Sequence, residues 1–101
     1  MSQPKTMAAG SKVLDVLNVL MGHFAHGLSP SELAKATDLS PPNITRYVAT
    51  LIEAGFAERI PETGRIRPST RFALQAMSIM RSVDAARGRL DELSARLNTK
   101  I

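Results

Sequence analysis

Apolar residues recur at helical spacing in the first third of the chain. This pattern predicts a helix that begins at Ser11, and residues 1–10 are expected to form a flexible tail. We expect Gly22 and then Gly27 to mark the end of the helix, since glycine is typical just after the last turn. Its predicted buried stripe consists of Val13, Leu14, Leu17, Leu20, Met21 and Phe24.

A capping sequence marks the start of a second, short helix. Ser29 is followed by a proline at the first helical position and then by Glu32. The serine and glutamate side chains can each bond the backbone N–H of the other residue, which is a capping box. The helix is predicted to end near Asp38. Leu39 then lies in a tight turn, from which we expect it to reach the core.

A third helix is predicted from Ser40 to about Ala54. Ser40 supplies the cap, and two prolines fill the first turn, where their missing N–H groups cost little. Gly55 is the expected stop signal. The inner face, on which Tyr47 is expected to pack in the core rather than stack on a nucleotide base, consists of Ile44, Tyr47, Val48 and Leu51.

After Gly55 the pattern changes towards the two-residue period of β-strands. Residues 56–60 and 65–67 are predicted strands, and residues 61–64 have the composition of a turn, with proline early and glycine late. Together they predict a two-stranded hairpin.

From Thr70 onward the apolar positions follow a heptad repeat and predict one long helix over residues 70–101. Leu74, Met77 and Met80 widen the stripe in the first half only, so we expect the first half to pack on the body and the second half to project. The heptad positions are Phe72, Ala76, Ile79, Val83, Ala86, Leu90, Leu93 and Leu97.

The order of these elements predicts a mainly α fold with a small β-hairpin, namely a winged helix-turn-helix over residues 11–69 followed by the long C-terminal helix. In this fold the third helix enters the major groove and the hairpin is the wing. Asparagine suits adenine, arginine suits guanine or phosphate, and threonine suits phosphate or a thymine methyl group. The predicted DNA-binding residues are Pro42, Asn43, Thr45, Arg46, Thr50, Arg65 and Arg67.

Residues 11–68 resemble the N-terminal winged-helix domain of IclR-type transcriptional regulators. The segments that carry the resemblance are residues 16–20, 27–34, 39–51, 55–59 and 61–65. The resemblance implies double-stranded DNA binding. It does not extend to the effector-binding domain of that family, because only about 30 helical residues follow the wing, so no small-molecule effector is evident.

Composition excludes several other classes of function. The 101 residues include no cysteine, so disulfides and thiolate metal sites are absent, and no third ligand is evident beside His23 and His26. No catalytic motif or cofactor-binding loop is present, so neither an enzyme nor a cofactor is predicted. The first residues lack an apolar core and no apolar run approaches about 18 residues, so we expect a cytoplasmic protein without membrane contact.

The net charge of +4 includes nine arginines, which suit a phosphate-binding surface.

Leucines in a stripe at the far end of a small protein usually indicate a partner, which predicts a homodimer with crossing or antiparallel helices. The predicted function is sequence-specific DNA binding by a dimeric transcriptional regulator, with repression the simpler expectation. Two alternatives remain. One is an architectural or replication-associated winged helix that binds DNA with low sequence specificity, and the other is a winged-helix protein-interaction module that does not bind DNA. The predicted dimerisation residues are Ile79, Val83, Leu90, Leu93 and Leu97.

Overall fold

A computed structural model describes residues 3–99. The first two residues of the predicted tail and the last two residues of the predicted C-terminal helix lie outside the described residues. The architecture is the predicted one, mainly α with one antiparallel hairpin and a long last helix, and it is a winged helix-turn-helix. The elements in chain order are α1 (Ala8–Met21), α2 (Pro30–Thr37), α3 (Pro41–Glu53), β1 (Ala57–Arg59), β2 (Ile66–Pro68) and α4 (Thr70–Thr99).

Helix α1 begins at Ala8, three residues before the predicted start, so the prediction of a tail reaching residue 10 is wrong. Residues 8–10 read Ala-Ala-Gly and carry no apolar periodicity. Alanine nevertheless has the highest intrinsic helix propensity, and the N–H of Ser11 donates to the Met7 carbonyl at 2.9 Å. Propensity therefore extends this helix beyond its amphipathic stripe.

The buried stripe of α1 is rotated from the predicted one. Val16, Leu17 and Leu20 are buried, whereas Leu14 is 63% exposed. Met21 and Phe24 also remain on the surface. The apolar residues of α1 outnumber the positions that one neighbouring layer can cover, so periodicity alone could not decide which of them face the core.

Both predicted helix caps are present. The Glu32 N–H donates to Ser29 Oγ at 3.1 Å, and the Ser29 N–H donates to Glu32 Oε1 at 2.8 Å. Asp38 ends α2 in the left-handed conformation with a φ of 56°. Helix α3 then packs against both α1 and α2, and Leu39 in the turn packs against the same core. The predicted inner face of α3 is confirmed as buried, namely Ile44, Tyr47, Val48 and Leu51.

The wing is attached to the helices by a short β-bridge that the sequence does not indicate. Strands β1 and β2 pair through Ala57–Pro68, Glu58–Arg67 and Arg59–Ile66. Leu28, in the loop between α1 and α2, exchanges two backbone hydrogen bonds of 2.8 Å with Ile66. Because Ile66 is fully buried, this bridge fixes the hairpin against the core.

Helix α4 is anchored to the body through its first turns. Ser69, which is buried, donates its hydroxyl to the Gly55 carbonyl at 2.7 Å and accepts the Phe72 N–H at 3.0 Å. Ser69 therefore caps the helix and ties it to the end of α3. The Phe72 ring meets Phe56 edge to face, with the centroids 5.5 Å apart.

Beyond these turns α4 projects from the body. It has no buried residue between Thr70 and Thr99, and Leu74, Met77 and Met80 are each more than half exposed. The prediction that the whole first half packs on the body is therefore wrong, since only Phe72 and its neighbours do so. The radius of gyration is 19.6 Å, against about 13 Å for a compact chain of this length.

Candidate nucleic-acid interface

One face of α3 is free of contacts with the body. Pro42, Thr45, Arg46 and Thr50 are exposed, and Asn43 is half-buried. These five predicted residues thus share one accessible surface, which the buried inner face of the same helix positions. Within residues 3–99, the Arg46 side chain has no ion pair or hydrogen bond to another group.

The start of α3 offers no free backbone donor. Pro41 and Pro42 lack an N–H, the Asn43 N–H donates to Ser40 Oγ at 3.4 Å, and the Ile44 N–H donates to the Ser40 carbonyl at 3.0 Å. A phosphate at a helix N-terminus is normally held by such N–H groups. Contacts from this helix must therefore come from side chains.

The two threonines on this face already donate their hydroxyl protons within the helix. Thr45 Oγ1 donates to the Pro41 carbonyl at 3.2 Å, and Thr50 Oγ1 donates to the Arg46 carbonyl at 3.0 Å. Each hydroxyl oxygen can still accept a hydrogen bond, and each methyl group can contact a thymine methyl group. Their chemistry on this face is accepting and apolar rather than phosphate-donating.

Arg65 points back towards the helices. Its guanidinium donates to the carbonyls of His26 and Gly27, both at 3.0 Å, and pairs with Glu32 at 2.7 Å. The same Glu32 carboxylate completes the cap of α2, and its hydrogen bonds, the Ser29 N–H first, hold the pKa of Glu32 below its ordinary value. Arg65 thus fastens the wing to the α1–α2 loop, a contact over 33 residues that sequence reasoning missed.

Arg67 is also engaged within the molecule. It pairs with Glu58 at 2.8 Å, across the hairpin, and its guanidinium lies 5.4 Å from the centroid of the Phe24 ring. Glu58 in turn accepts the Thr70 N–H at 2.9 Å, at the start of α4. The predicted contact of Arg65 and Arg67 with DNA stays a prediction, and these ion pairs favour a positioning role for both.

Glu58 should make the fold sensitive to acid. The Thr70 N–H first, and then Arg67, hold the pKa of Glu58 below its ordinary value. The unfolded chain therefore binds this proton at a higher pH than the fold does, so the stabilisation is present above about pH 4.3 and is lost as pH falls through the lowered pKa. We expect Glu58→Gln to lower Tm at pH 7 and to flatten the fall of Tm between pH 7 and 3.

The matched control for this titration is Glu92→Gln. Glu92 pairs with Arg96 at 3.2 Å one turn along α4, where both side chains are mostly exposed. Exposed pairs of this kind contribute little to stability, so the Tm profile should coincide with that of the unchanged protein. An unchanged Tm for Glu58→Gln at pH 7 would contradict the assigned role of Glu58.

The predicted dimerisation residues lie on one exposed stripe of α4. Ile79 and Val83 are exposed in its first half, and Leu90, Leu93 and Leu97 are exposed in its second half. Their exposed fractions run from 46% for Val83 to 67% for Leu90. A stripe of this length without cover in the single chain is the surface that a partner would bury.

Comparison with models of known protein families identifies the family of this chain. The model of the IclR helix-turn-helix domain matches residues 11–61, about half of the chain. The chain belongs to the IclR helix-turn-helix family. This is a family of DNA-binding transcription regulators and not an enzyme family. A search of curated proteins finds no significant match.

The part of this IclR-family chain that follows the matched domain is mainly α4. None of the helices within residues 3–99 is long and apolar enough to cross a membrane. Over the same residues, no three histidine, aspartate or glutamate side chains lie together as metal ligands would.

One exposed cation of the wing was not among the predicted contacts. Arg59 ends β1 beside the turn, and its side chain reaches the Gly64 carbonyl at 3.4 Å, a long hydrogen bond. The sequence shows Arg59 only as one of several arginines near the hairpin. What distinguishes it is that Arg65 and Arg67 are paired with Glu32 and Glu58, whereas within residues 3–99 Arg59 forms no ion pair, not even with Glu62 in the turn.

Proposed function

We propose that this IclR-family protein binds double-stranded DNA in a sequence-specific manner, with α3 in the major groove. The observation that carries the proposal is the exposed face of α3, on which an unengaged Arg46 lies among Asn43, Thr45 and Thr50. Arginine and asparagine can each form two hydrogen bonds to one base edge, so this set of side chains can discriminate among base pairs.

The first turns of α3 are the part that would meet the DNA. Glu53 lies seven residues after Arg46 and therefore on the same side of the helix, where its carboxylate would repel phosphates. A recognition helix normally contacts base edges through its N-terminal residues, which agrees with this polarity. Pro42 then offers only an apolar surface, suited to a thymine methyl group.

The wing has a divided role in this proposal. Arg59 is the cation available to the DNA backbone, while Arg65 and Arg67 hold the hairpin at a fixed angle to α3 through Glu32 and Glu58. Exchanging either ion pair for a phosphate contact would leave a carboxylate without its partner, next to a polyanion. The predicted contacts of Arg65 and Arg67 with DNA would therefore require the loss of these ion pairs.

The proposed regulator acts as a dimer through the exposed stripe of α4. A dimer places two α3 helices on a two-fold DNA site, which is how helix-turn-helix proteins gain specificity. Repression is the proposed outcome, because an occupied site blocks polymerase without any activating surface. The predicted cytoplasmic location remains part of this proposal.

The test is a selection of bound duplexes from a random DNA pool at about 150 mM salt. We expect an enriched inverted repeat, because two equivalent α3 helices read equivalent half-sites. Binding that loses affinity steeply with salt but enriches no sequence would contradict the regulator and favour the architectural alternative. Failure to bind any duplex at low salt would instead favour the protein-interaction module.

A further inference from the structure

The apolar stripe of α4 has different flanks in its two halves. Around the first half the flanking residues are uncharged, whereas around the second half three of them are arginines. In heptad terms these flanks are the e and g positions beside the a and d stripe. The uncharged flanks are Ala73, Gln75, Met80 and Ser82, and the basic flanks are Arg87, Arg89 and Arg96.

An apolar groove lies at the N-terminal end of this stripe. It has a volume of about 290 Å³ between the end of α1 and the start of α4, and it is lined by Met21, Phe24, Pro68, Phe72, Ala73 and Ala76. Two of these, Phe72 and Ala76, are themselves stripe positions, so the stripe runs directly into the groove. Small-molecule sites ordinarily include a few polar groups that orient the ligand. None of these six side chains carries such a group.

We propose that the groove receives Leu93 and Leu97 of a second copy of this chain, lying antiparallel along α4. This inference rests on the dimer of the proposed function and specifies its partner surface. In an antiparallel pair each a position faces a d position of the other helix. With the two-fold axis between residues 84 and 85, Leu97 faces Phe72, Leu93 faces Ala76, Leu90 faces Ile79, and Ala86 faces Val83.

That register leaves no stripe position without a counterpart. All eight apolar positions from Phe72 to Leu97 are paired, and the small Ala76 stands where the large Leu93 of the partner arrives. Large residues facing small ones is the arrangement by which packed layers fill space. The groove and the far end of the stripe are thus complementary in shape as well as in polarity.

Charge also favours the antiparallel pair. In this register the flanking arginines lie beside uncharged residues of the other copy: Arg87 beside Met80, Arg89 beside Ser82, and Arg96 beside Gln75. A parallel pair would gather all six flanking arginines at one end, where no acidic flank offsets them. Like charges held close together oppose association, so the uncharged first half is the better partner for the basic second half.

Cysteine cross-linking tests the register, because the chain has no cysteine of its own. Ala76→Cys and Leu93→Cys are prepared as separate full-length variants, mixed, and oxidised. We expect a disulfide between the two different variants, and little cross-linking within either variant alone. A mixture of either variant with Ala95→Cys, which lies on the outer side of α4, is the control and should stay uncross-linked.

The outcomes distinguish a wrong register from the absence of a dimer. A mixed disulfide supports the inference. Disulfides within each single variant indicate a parallel pair and overturn it, as does a dimeric mass by sedimentation without any cross-link. A monomeric mass at all concentrations overturns both the register and the dimer of the proposed function, while DNA binding through α3 is measured independently by the duplex selection.

Leucine substitutions provide a second test that does not depend on oxidation. Leu97→Ala should raise the dimer dissociation constant about tenfold or more, because the substitution removes a buried leucine at both ends of the pair. Leu74→Ala is the matched control, since Leu74 is similarly exposed, 57% against 65%, but lies outside the a and d positions of the heptad repeat and does not line the groove. Equal effects of the two substitutions would overturn the assignment of Leu97 to the groove.

Discussion

Gly27→Ala is expected to destabilise the fold by about 3 kcal/mol, through two separate effects. Gly27 has a φ of +66°, which costs a residue with a Cβ about 1–2 kcal/mol. The added Cβ would also overlap the Ile66 carbonyl oxygen and lie 3.0 Å from the carbonyl carbon. Relief requires the bridge between Leu28 and Ile66 to open, and each lost backbone hydrogen bond costs about 1 kcal/mol.

The measurement is thermal unfolding of the full chain, and Gly64→Ala is the matched control. Gly64 also has a positive φ, +73°, but nothing lies within 4 Å of the position that an added methyl group would take. The control should therefore show the conformational cost alone, about 1–2 kcal/mol. A chain of this size loses roughly 4–8 °C of Tm per kcal/mol. Equal losses of Tm in the two variants would refute the close approach of Gly27 to β2.

Arg46→Ala is expected to lower affinity for the selected duplex by about 1–3 kcal/mol, which is roughly 5- to 150-fold. The affinity for unrelated duplexes should change much less, because a base contact contributes only at the matching base pair. Tm should stay unchanged, since Arg46 is exposed and has no ion pair within residues 3–99. Binding is measured by titration of both duplexes at fixed salt.

The matched control for Arg46 is Arg81→Ala. Arg81 is an exposed arginine on α4, away from the proposed DNA-binding face. The two variants carry the same net charge, so a difference between them reports position rather than total charge. Equal affinities of both variants for the selected duplex would refute the assignment of the α3 face.

Arg65→Ala should act differently from Arg46→Ala. The sequence predicts a uniform loss of affinity for all duplexes from a lost phosphate contact. The structure adds a loss of stability, because Arg65 joins β2 to the loop before α2 and to the Glu32 carboxylate. A lowered Tm together with reduced binding is the signature of a residue that positions the wing.

The starts of α2 and α3 were predictable because their causes are local. Each cap involves residues three apart in the chain, as in Ser29 with Glu32 and Ser40 with Asn43. The inner face of α3, including Tyr47, follows from the spacing of apolar residues on a single helix. These signals act over one or two turns, and the sequence displays them directly.

The tertiary contacts that were missed are long-range. Nothing near Arg65 in the sequence indicates that its partner is Glu32, and nothing near Leu28 indicates a bridge to Ile66. Alternation in a strand fixes the side of the sheet on which an arginine lies, but the tertiary packing decides whether DNA or a carboxylate is there. The rotated stripe of α1 has the same origin, since Leu14 and Val16 are both apolar and only the elements packed against α1 decide that Val16 is the buried one.

Because α4 is firmly attached to the body, its length sets the distance between the two DNA half-sites that the proposed dimer can bind. Ser69 and Glu58 hold the first turn, so the helix leaves the wing in a fixed direction. In the proposed antiparallel pair the two bodies stand about 45 Å apart, the length of a 30-residue helix, which exceeds one turn of DNA. One inserted heptad would add about 10.5 Å, or roughly three base pairs, and would move the second α3 about a third of a turn around the duplex.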